Sequence, residues 1–265
     1  MTEGPTMVYK CPKCKEAVRR ISLLSGNTFG AKCFSDGKRT APMLPEFPAI
    51  VKCGKCGGFF WLENGEKDES LLEHGLSEIV PRKWNIFRAM GLGRKKDSGR
   101  EEISLHNLHK YTGLPFETKD ITLEKGDRLP PINIRDGFLS AHEYGEAIDA
   151  GMARNRDEEI YLRQNMWWRF NHRTRGGEKL FAGDGDKTLY ESNCERLIAL
   201  LQESERPDRK PLIAELHRNL GRFDKCAEVL ETLETIDDKE HAESVERLKK
   251  ECLAKNSETV RLFSL

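Results

Sequence analysis

Two kinds of hydrophobic pattern follow one another along the chain. Before about residue 62, apolar residues stand in short runs such as Ile50–Lys52 and Phe59–Trp61, separated by glycine and proline, which is typical of short β-strands. After about residue 138 they recur every three or four positions, which is the period of an amphipathic α-helix. The pattern predicts an α+β protein with strands first and helices afterwards. The predicted helices lie near 140–151, 155–174, 186–204, 208–220, 222–234 and 238–255.

Turn and cap signals add detail to this pattern. Asp36-Gly37 is a dipeptide that favours a tight β-hairpin, so it predicts a further pair of short strands. Ser140, with Glu143 three residues later, has the spacing of a capping box and predicts the start of the first helix. Gly221 falls between two periodic segments, where a glycine commonly ends a helix.

The middle of the chain has no clear period. A short amphipathic stretch over 76–90 predicts one helix, and residues 91–100 have the glycine-rich, basic composition of a linker. The glycines and prolines of 105–134 indicate an irregular connector. We therefore expect three parts, namely a strand-rich domain over 1–62, a connector over 63–137 and a helical domain over 138–265.

Charge and hydropathy narrow the classes of function. The 265 residues contain 44 Lys plus Arg and 44 Asp plus Glu, so the whole chain has no net field that attracts a polyanion. Basic residues nevertheless outnumber acidic ones by ten to four over 1–60 and by seven to one over 82–100. No apolar run approaches the roughly 20 residues that cross a bilayer, and residues 1–10 lack an apolar signal stretch. We expect a cytoplasmic protein with no membrane partner.

Two Cys-x-x-Cys motifs carry the strongest chemical signal. Cys11 and Cys14 form the first pair, and Cys53 and Cys56 form the second. Two residues between thiolates let a tight turn place both sulfurs on one side of a tetrahedral ion, with backbone amides donating to sulfur. Such pairs in a chain without an export signal favour metal binding over disulfides. The motifs predict one structural Zn²⁺ per chain, in a site that leaves no position for a reactive water.

The alternative is that the two motifs are unrelated turns. A redox motif of the thioredoxin type requires a βαβ context, which does not follow Cys14. Cys33 has no cysteine or histidine at ligand spacing, so we expect it to be a small, half-buried packing residue.

Two family resemblances follow from these residues. The stretch from Tyr9 to Leu62, with its two cysteine turns, resembles a zinc ribbon. The stretch 212–230 resembles a tetratricopeptide repeat, in which small residues of two helices pack together and an aromatic follows a glycine at the turn. The matching positions are Ala214, Gly221, Phe223, Cys226 and Leu230. The second resemblance implies neighbouring helices and a groove that binds a protein or peptide.

Adjacent tryptophans stand within the second predicted helix. On an α-helix Trp167 and Trp168 point about 100° apart, so the same core cannot hold both. One interpretation is that one is core and the other covers a seam between helices or domains. The second interpretation is that the tryptophans form an aromatic anchor in a groove that binds a partner. The residues proposed for that groove are Trp167, Trp168, Arg163, Asn171 and Arg173.

These features predict an interaction or adaptor protein with a structural zinc site and a helical surface for a protein partner. The alternative is a nucleic-acid-associated factor that uses the basic strand-rich domain and the linker residues Arg94, Lys95 and Lys96. Its candidate stacking residues are Phe29, Phe34, Phe59, Phe60 and Trp61. An enzyme ranks third, because the sequence contains no P-loop, nucleophile elbow, dinucleotide fingerprint or HExxH motif.

Overall fold

The structure is a computed structural model that describes residues 1–67, 137–203, 209–233 and 239–264. Its strands are β1 (Thr2–Lys10), β2 (Ala17–Ser25), β3 (Lys32–Phe34), β4 (Arg39–Thr40), β5 (Ile50–Lys52), β6 (Phe59–Trp61), β7 (Glu66–Lys67) and β8 (Arg261–Ser264). Its helices are α1 (Ala141–Asp149), α2 (Arg156–Arg175), α3 (Asp184–Gln202), α4 (Lys210–Asn219), α5 (Phe223–Glu231) and α6 (Lys239–Leu253). A strand-rich region therefore precedes a helical region, and the predicted α+β class is confirmed.

The strands form three small antiparallel sheets. Strand β1 lies between β2 and β7, strand β3 lies between β4 and β8, and β5 pairs with β6. In the second sheet Cys33 lies opposite Phe263, so the chain returns to the strand-rich region after its last helix. Strand β8 was not predicted, because four residues are too short to display a reliable period.

The predicted hairpin at Asp36-Gly37 is present. Strands β3 and β4 flank it, and the N–H of Gly37 donates to the carbonyl of Phe34 at 3.0 Å. Gly37 has a φ of +75°, a left-handed conformation that costs glycine little and other residues more. The turn residue before it, Asp36, is completely buried, which the turn pattern alone did not indicate.

Strands β5 and β6 are buried on both faces. Their paired residues Ile50 and Trp61 belong to the hydrophobic cluster of the helices, while the neighbouring pair, Val51 and Phe60, packs around the cysteines. Successive side chains of a strand point to opposite faces, which places the two pairs in different clusters. The indole N–H of Trp61 donates to the carbonyl of Met152 at 2.8 Å, fixing this ribbon against the helical region.

Consecutive helices pack against one another from α1 to α6. The predicted capping box is present at the start of α1, where Ser140 and Glu143 exchange side-chain-to-backbone hydrogen bonds. Ala214 of α4 and Cys226 of α5 are both fully buried in one cluster, as the predicted small-residue contact requires. Gly221 lies between these helices with a φ of +72°.

Several predictions concern residues outside the described ranges. They are the helix over 76–90, the linker over 91–100, the irregular connector over 105–134 and the basic residues Arg94, Lys95 and Lys96. The three domain boundaries also stay predictions. Among the described helices, none is both long enough and apolar enough to span a bilayer.

Candidate metal centre

The two Cys-x-x-Cys motifs fold into matching turns. In the first, the N–H of Lys15 donates to the carbonyl of Cys11, and in the second the N–H of Gly57 donates to the carbonyl of Cys53, each at 2.9 Å. Lys15 and Gly57 both adopt left-handed backbone conformations, with φ of 60° and 69°. Each turn therefore directs its two cysteines toward the same side.

The four thiols converge on one point, and we name them the cysteine cluster: Cys11, Cys14, Cys53 and Cys56. All their Sγ atoms lie within 4.8 Å of one another, with 3.7 Å between Cys11 and Cys56 and 3.5 Å between Cys14 and Cys53. A tetrahedral ion with metal–sulfur distances of about 2.3 Å would place its sulfurs about 3.8 Å apart. The observed spacing fits a tetrahedral four-thiolate metal site, so the predicted grouping of these cysteines is confirmed.

Local hydrogen bonds favour a thiolate at the second turn. Burial raises the pKa of Cys53, but hydrogen bonds from the amides of Cys56 and Lys55 and from neighbouring thiols outweigh that effect and lower its pKa to about 7. At the first turn the amide of Glu16 lowers the pKa of Cys14, while burial and the other three thiols raise it, to about 12 overall. Four adjacent thiols cannot all ionise without a cation to balance their charge, and a bound metal supplies that balance.

Apolar residues shield the buried side of the cysteine cluster. Cys11 and Cys53 are 1% exposed, whereas Cys14 and Cys56 are partly accessible. The surrounding buried residues are Tyr9, Val51, Phe60 and Leu62. Lys55 forms an exposed ion pair with Glu16 at 3.2 Å, which links the two turns. The site is held by the β5–β6 ribbon on one side and by the end of β1 on the other.

The remaining cysteines lie elsewhere. Cys33 is on β3, half-buried as predicted and outside the cysteine cluster. Cys194, Cys226 and Cys252 are buried in α3, α5 and α6, where they pack in the cores of the helices.

The tryptophan pair contacts the interior of the protein. Trp167 is completely buried and its indole N–H donates to Asn219 at 3.0 Å. Asn171 is 2% exposed and donates to the carboxylate of Asp36 at 2.9 Å. Trp168 is half-buried, and its N–H donates to the carbonyl of Asp36 at 2.9 Å. These contacts match the core-and-seam interpretation, while the partner-groove role stays a prediction.

The two arginines proposed for the same groove form ion pairs. Arg163 pairs with Glu159 at 2.8 Å on the surface of α2. Arg173 pairs with Asp186 and also donates to the carbonyl of Leu180 at 3.2 Å. The structure therefore does not bring the five proposed groove residues together on one open surface within the described part of the chain.

The candidate stacking residues of the nucleic-acid alternative differ in how far their side chains are exposed. Phe60 and Trp61 are buried, with 4% and 5% exposure, and are committed to the two clusters described above. Phe34 and Phe59 are half-buried, and Phe29 is 78% exposed. Only Phe29 of this set presents an open ring face.

A buried polar network that was not predicted lies at the seam between the strand-rich and helical regions. Asp36 pairs with Arg175, and Glu215 pairs with Arg218 at 2.7 Å. Ser35 joins the second pair, since its hydroxyl donates to Glu215 at 2.6 Å. The members of the network are Ser35, Asp36, Asn171, Arg175, Glu215, Arg218 and Asn219.

One signal of this network is present in the sequence. Arg218 stands four residues after Ala214, on the helix face that the small-residue contact buries. Glu215 stands three residues before Arg218, at the spacing of an ion pair. A buried arginine requires such a partner, so the pair could have been predicted, but its contact with Ser35 could not.

No protein-family model, no curated protein and no solved structure matches this chain. The fold and the site together define a mixed α+β protein with a candidate four-cysteine metal centre.

Proposed function

We propose that the cysteine cluster binds one structural Zn²⁺ ion and that the chain is a non-enzymatic interaction protein. The observation that carries the proposal is the convergence of four sulfurs at the spacing of a tetrahedral site. Thiolate ligands in this geometry select zinc or iron among common metals. Two matching turns with amide donors to sulfur resemble a zinc ribbon and favour zinc.

A four-thiolate zinc is closed to catalysis. Every tetrahedral position is filled by protein, so no water or substrate can reach the ion. What the metal supplies is folding free energy, which a ribbon as short as β5–β6 cannot obtain from its own apolar area. We therefore assign the ion the role of joining the end of β1 to the β5–β6 ribbon.

The helices supply the scaffold for interaction. Helices α4 and α5 resemble a tetratricopeptide repeat in the contact of Ala214 with the Cys226 cluster and in the turn at Gly221. That family binds proteins or peptides along a helical surface. The resemblance supports a protein or peptide as the partner.

Metal content tests the zinc proposal. Purified wild-type protein should contain about one zinc per chain, and Cys53→Ser and Cys56→Ser should contain none, because a missing thiolate opens the tetrahedral shell. Cys33→Ser is the matched control, since Cys33 lies outside the cluster, and it should retain the metal. The variants without metal should also lose amide protection in β5 and β6.

Two results would contradict this proposal. One is a metal-free wild-type protein with fully protected β5 and β6 amides. The other is zinc that persists in both serine variants. Either would reopen a redox interpretation of the cysteine pairs.

A further inference from the structure

The segment 256–264 lies against helix α4 through its main chain. Arg218 donates to the carbonyls of Asn256 and Glu258, the latter at 2.8 Å. Asn219 donates to the carbonyl of Ser257 at 2.9 Å. Since the acceptors are backbone oxygens, any peptide in the same conformation offers them.

Ser35 and β3 hold the next part of the segment. The N–H of Val260 donates to the hydroxyl of Ser35 at 3.0 Å, and the N–H of Ser35 donates to the carbonyl of Val260 at 2.9 Å. Residues Arg261–Ser264 then pair antiparallel with β3 as strand β8. Addition of a strand to a sheet edge is a common mode of peptide recognition.

The groups that hold the segment are themselves fixed by contacts outside it. The carboxylate of Glu215 accepts from the Nε of Arg218 at 2.8 Å and from the hydroxyl of Ser35 at 2.6 Å. Glu215 and Arg218 are both completely buried. This ion pair orients the donors of Arg218 toward the segment before any peptide is bound, which lowers the entropic cost of binding.

The side chains of the segment contribute less than its backbone. Ser257, Glu258, Arg261 and Ser264 are exposed, and Val260, Leu262 and Phe263 are only half-buried. The hydroxyl oxygen of Thr259 is buried without a hydrogen-bond partner among the described residues. The fit of this particular sequence is therefore incomplete, although its backbone is well held.

There is also room beside the segment. A cavity of about 520 Å³ lies between residues 257–259 and the end of α2 with its connection to α3, where Thr174, Glu178 and Phe181 line it. Side chains larger than those of Ser257 and Thr259 would fit there. Lys255, between α6 and the segment, has a φ of 51°, so a residue in a left-handed conformation links the two.

We propose that Ser35, Arg218, Asn219 and the edge of β3 form a binding site for an extended peptide segment of a partner protein, which residues 256–264 occupy in the partner's absence. The partner peptide needs a backbone N–H at the place of Val260, which excludes proline there. The places of Leu262 and Phe263 are half-buried, so they can accept apolar side chains. This proposal rests on the interaction function proposed above and locates its binding site.

The internal segment acts as a competitor for the partner. The apparent affinity of a ligand falls by the fraction of protein in which the site is open. A change that weakens only the internal segment should therefore strengthen binding of a peptide added in solution. This relation distinguishes an exchangeable segment from one that is a permanent part of the fold.

A fluorescent peptide with the sequence of residues 256–264 tests the proposal by anisotropy titration of the full chain. Val260→Pro in the protein removes the backbone N–H that donates to the hydroxyl of Ser35. It leaves the residues of the binding site unchanged. We expect this variant to bind the peptide about tenfold more tightly than wild type. Val260→Ala, which keeps the N–H, is the matched control and should gain less. A peptide N-methylated at the Val260 position should bind at least about tenfold more weakly.

A second measurement uses the wild-type chain and needs no variant. Excess unlabelled peptide should speed hydrogen exchange at the amides of Val260 and Phe263 while leaving the β1–β2 amides unchanged. The proposal would be overturned if wild type, Val260→Pro and Val260→Ala bound the peptide equally and the peptide left amide hydrogen exchange unchanged. A dimer that forms without any gain in peptide affinity would also overturn it, in favour of exchange between two copies.

These outcomes are separate from those of the metal test. Zinc content is measured on the same samples, so loss of the metal site and failure of peptide binding are distinguished. A protein with one zinc and no peptide binding would retain the structural-zinc proposal and lose only this binding site.

Discussion

The cysteine cluster and the buried polar network both fix the strand-rich region, by different means. In the cysteine cluster, two turns bring together four side chains of one kind, and each pair is three residues apart in the sequence. In the network, Ser35 and Glu215 are in contact although 180 positions separate them. As thiolates, the four cysteines of the first would need an ion from solution to balance their charge, whereas the second contains both signs of charge within the chain.

This difference affects how each region responds to change. A metal site loses its stabilising effect when the metal is removed, and it recovers that effect when the metal returns. A buried ion pair cannot be restored from solution, and removal of one partner leaves the other charge in a low-dielectric interior. We therefore expect the stabilising effect of the cysteine cluster to depend on bound metal. The stabilising effect of the network should not depend on ions from solution.

The largest effect is expected from the network. Arg218→Leu leaves the carboxylate of Glu215 buried without its charged partner, and we expect a loss of about 3–5 kcal/mol in the free energy of unfolding. Urea denaturation measures it. The control is Arg247→Leu, because the half-exposed side chain of Arg247 pairs with Glu251 within α6 and should contribute at most about 1 kcal/mol. A loss below about 1 kcal/mol for Arg218→Leu would contradict the stabilising role of the network.

The next effect concerns the two cysteine turns. Gly57 has a φ of +69° and a Cβ there would meet no atom within 4 Å, so Gly57→Ala introduces backbone strain alone. We expect it to lower stability by about 1 kcal/mol. Lys15 occupies the matching position of the first turn with a φ of 60°, and Lys15→Gly should relieve strain rather than add it. Thermal unfolding of the zinc-loaded proteins measures both, and shifts of the two midpoints in the same direction would contradict this account of backbone strain.

A similar effect is expected where the ribbon meets the helices. Trp61→Phe removes the N–H that donates to the carbonyl of Met152, and we expect a loss of about 1 kcal/mol. Zinc content should stay at one per chain, because Trp61 faces away from the cysteines. If the variant loses zinc as well, the two faces of the β5–β6 ribbon are coupled more strongly than the separate clusters indicate.

The last effect is a change in how stability depends on pH in acid. Hydrogen bonds from the amide of Ala182 and from Arg173 and His142 hold the pKa of Asp186 well below its ordinary value of 3.8. The ionised form is therefore favoured by folding, and its stabilising effect is complete above pH 4 and lost as the pH falls further. Asp186→Asn should flatten the pH dependence of the unfolding midpoint between about pH 2 and pH 5. An unchanged acid slope in this variant would show that other carboxylates dominate.

Much of the architecture was predictable from local patterns. The helices lie within about three residues of their predicted bounds, because periodicity and caps such as that of Ser140 act over one or two turns. The β5–β6 pair and the Asp36-Gly37 hairpin followed from short apolar runs and turn chemistry. The cysteine cluster was predictable because the spacing within each motif already determines where both of its sulfurs point.

Other features depended on contacts distant in sequence. Strand β8 exists because β3 offers an edge to it, and its four residues carry no pattern strong enough to predict it. The burial of Asp36 depends on Arg175 and Asn171, which stand more than 130 positions later. A turn containing Asp-Gly is ordinarily on the surface, so no local rule indicates that this one is enclosed.

Local patterns predicted the class of fold, the places of the helices and the four metal-ligand candidates, since each depends on residues within a few positions of one another. Contacts between distant segments place Trp167 in the core, join Ser35 and Asp36 to a charged network with α2 and α4, and hold residues 256–264 along that network. These features could not be predicted because desolvation and charge pairing depend on which distant segments meet. Local periodicity and spacing carry no information about that meeting.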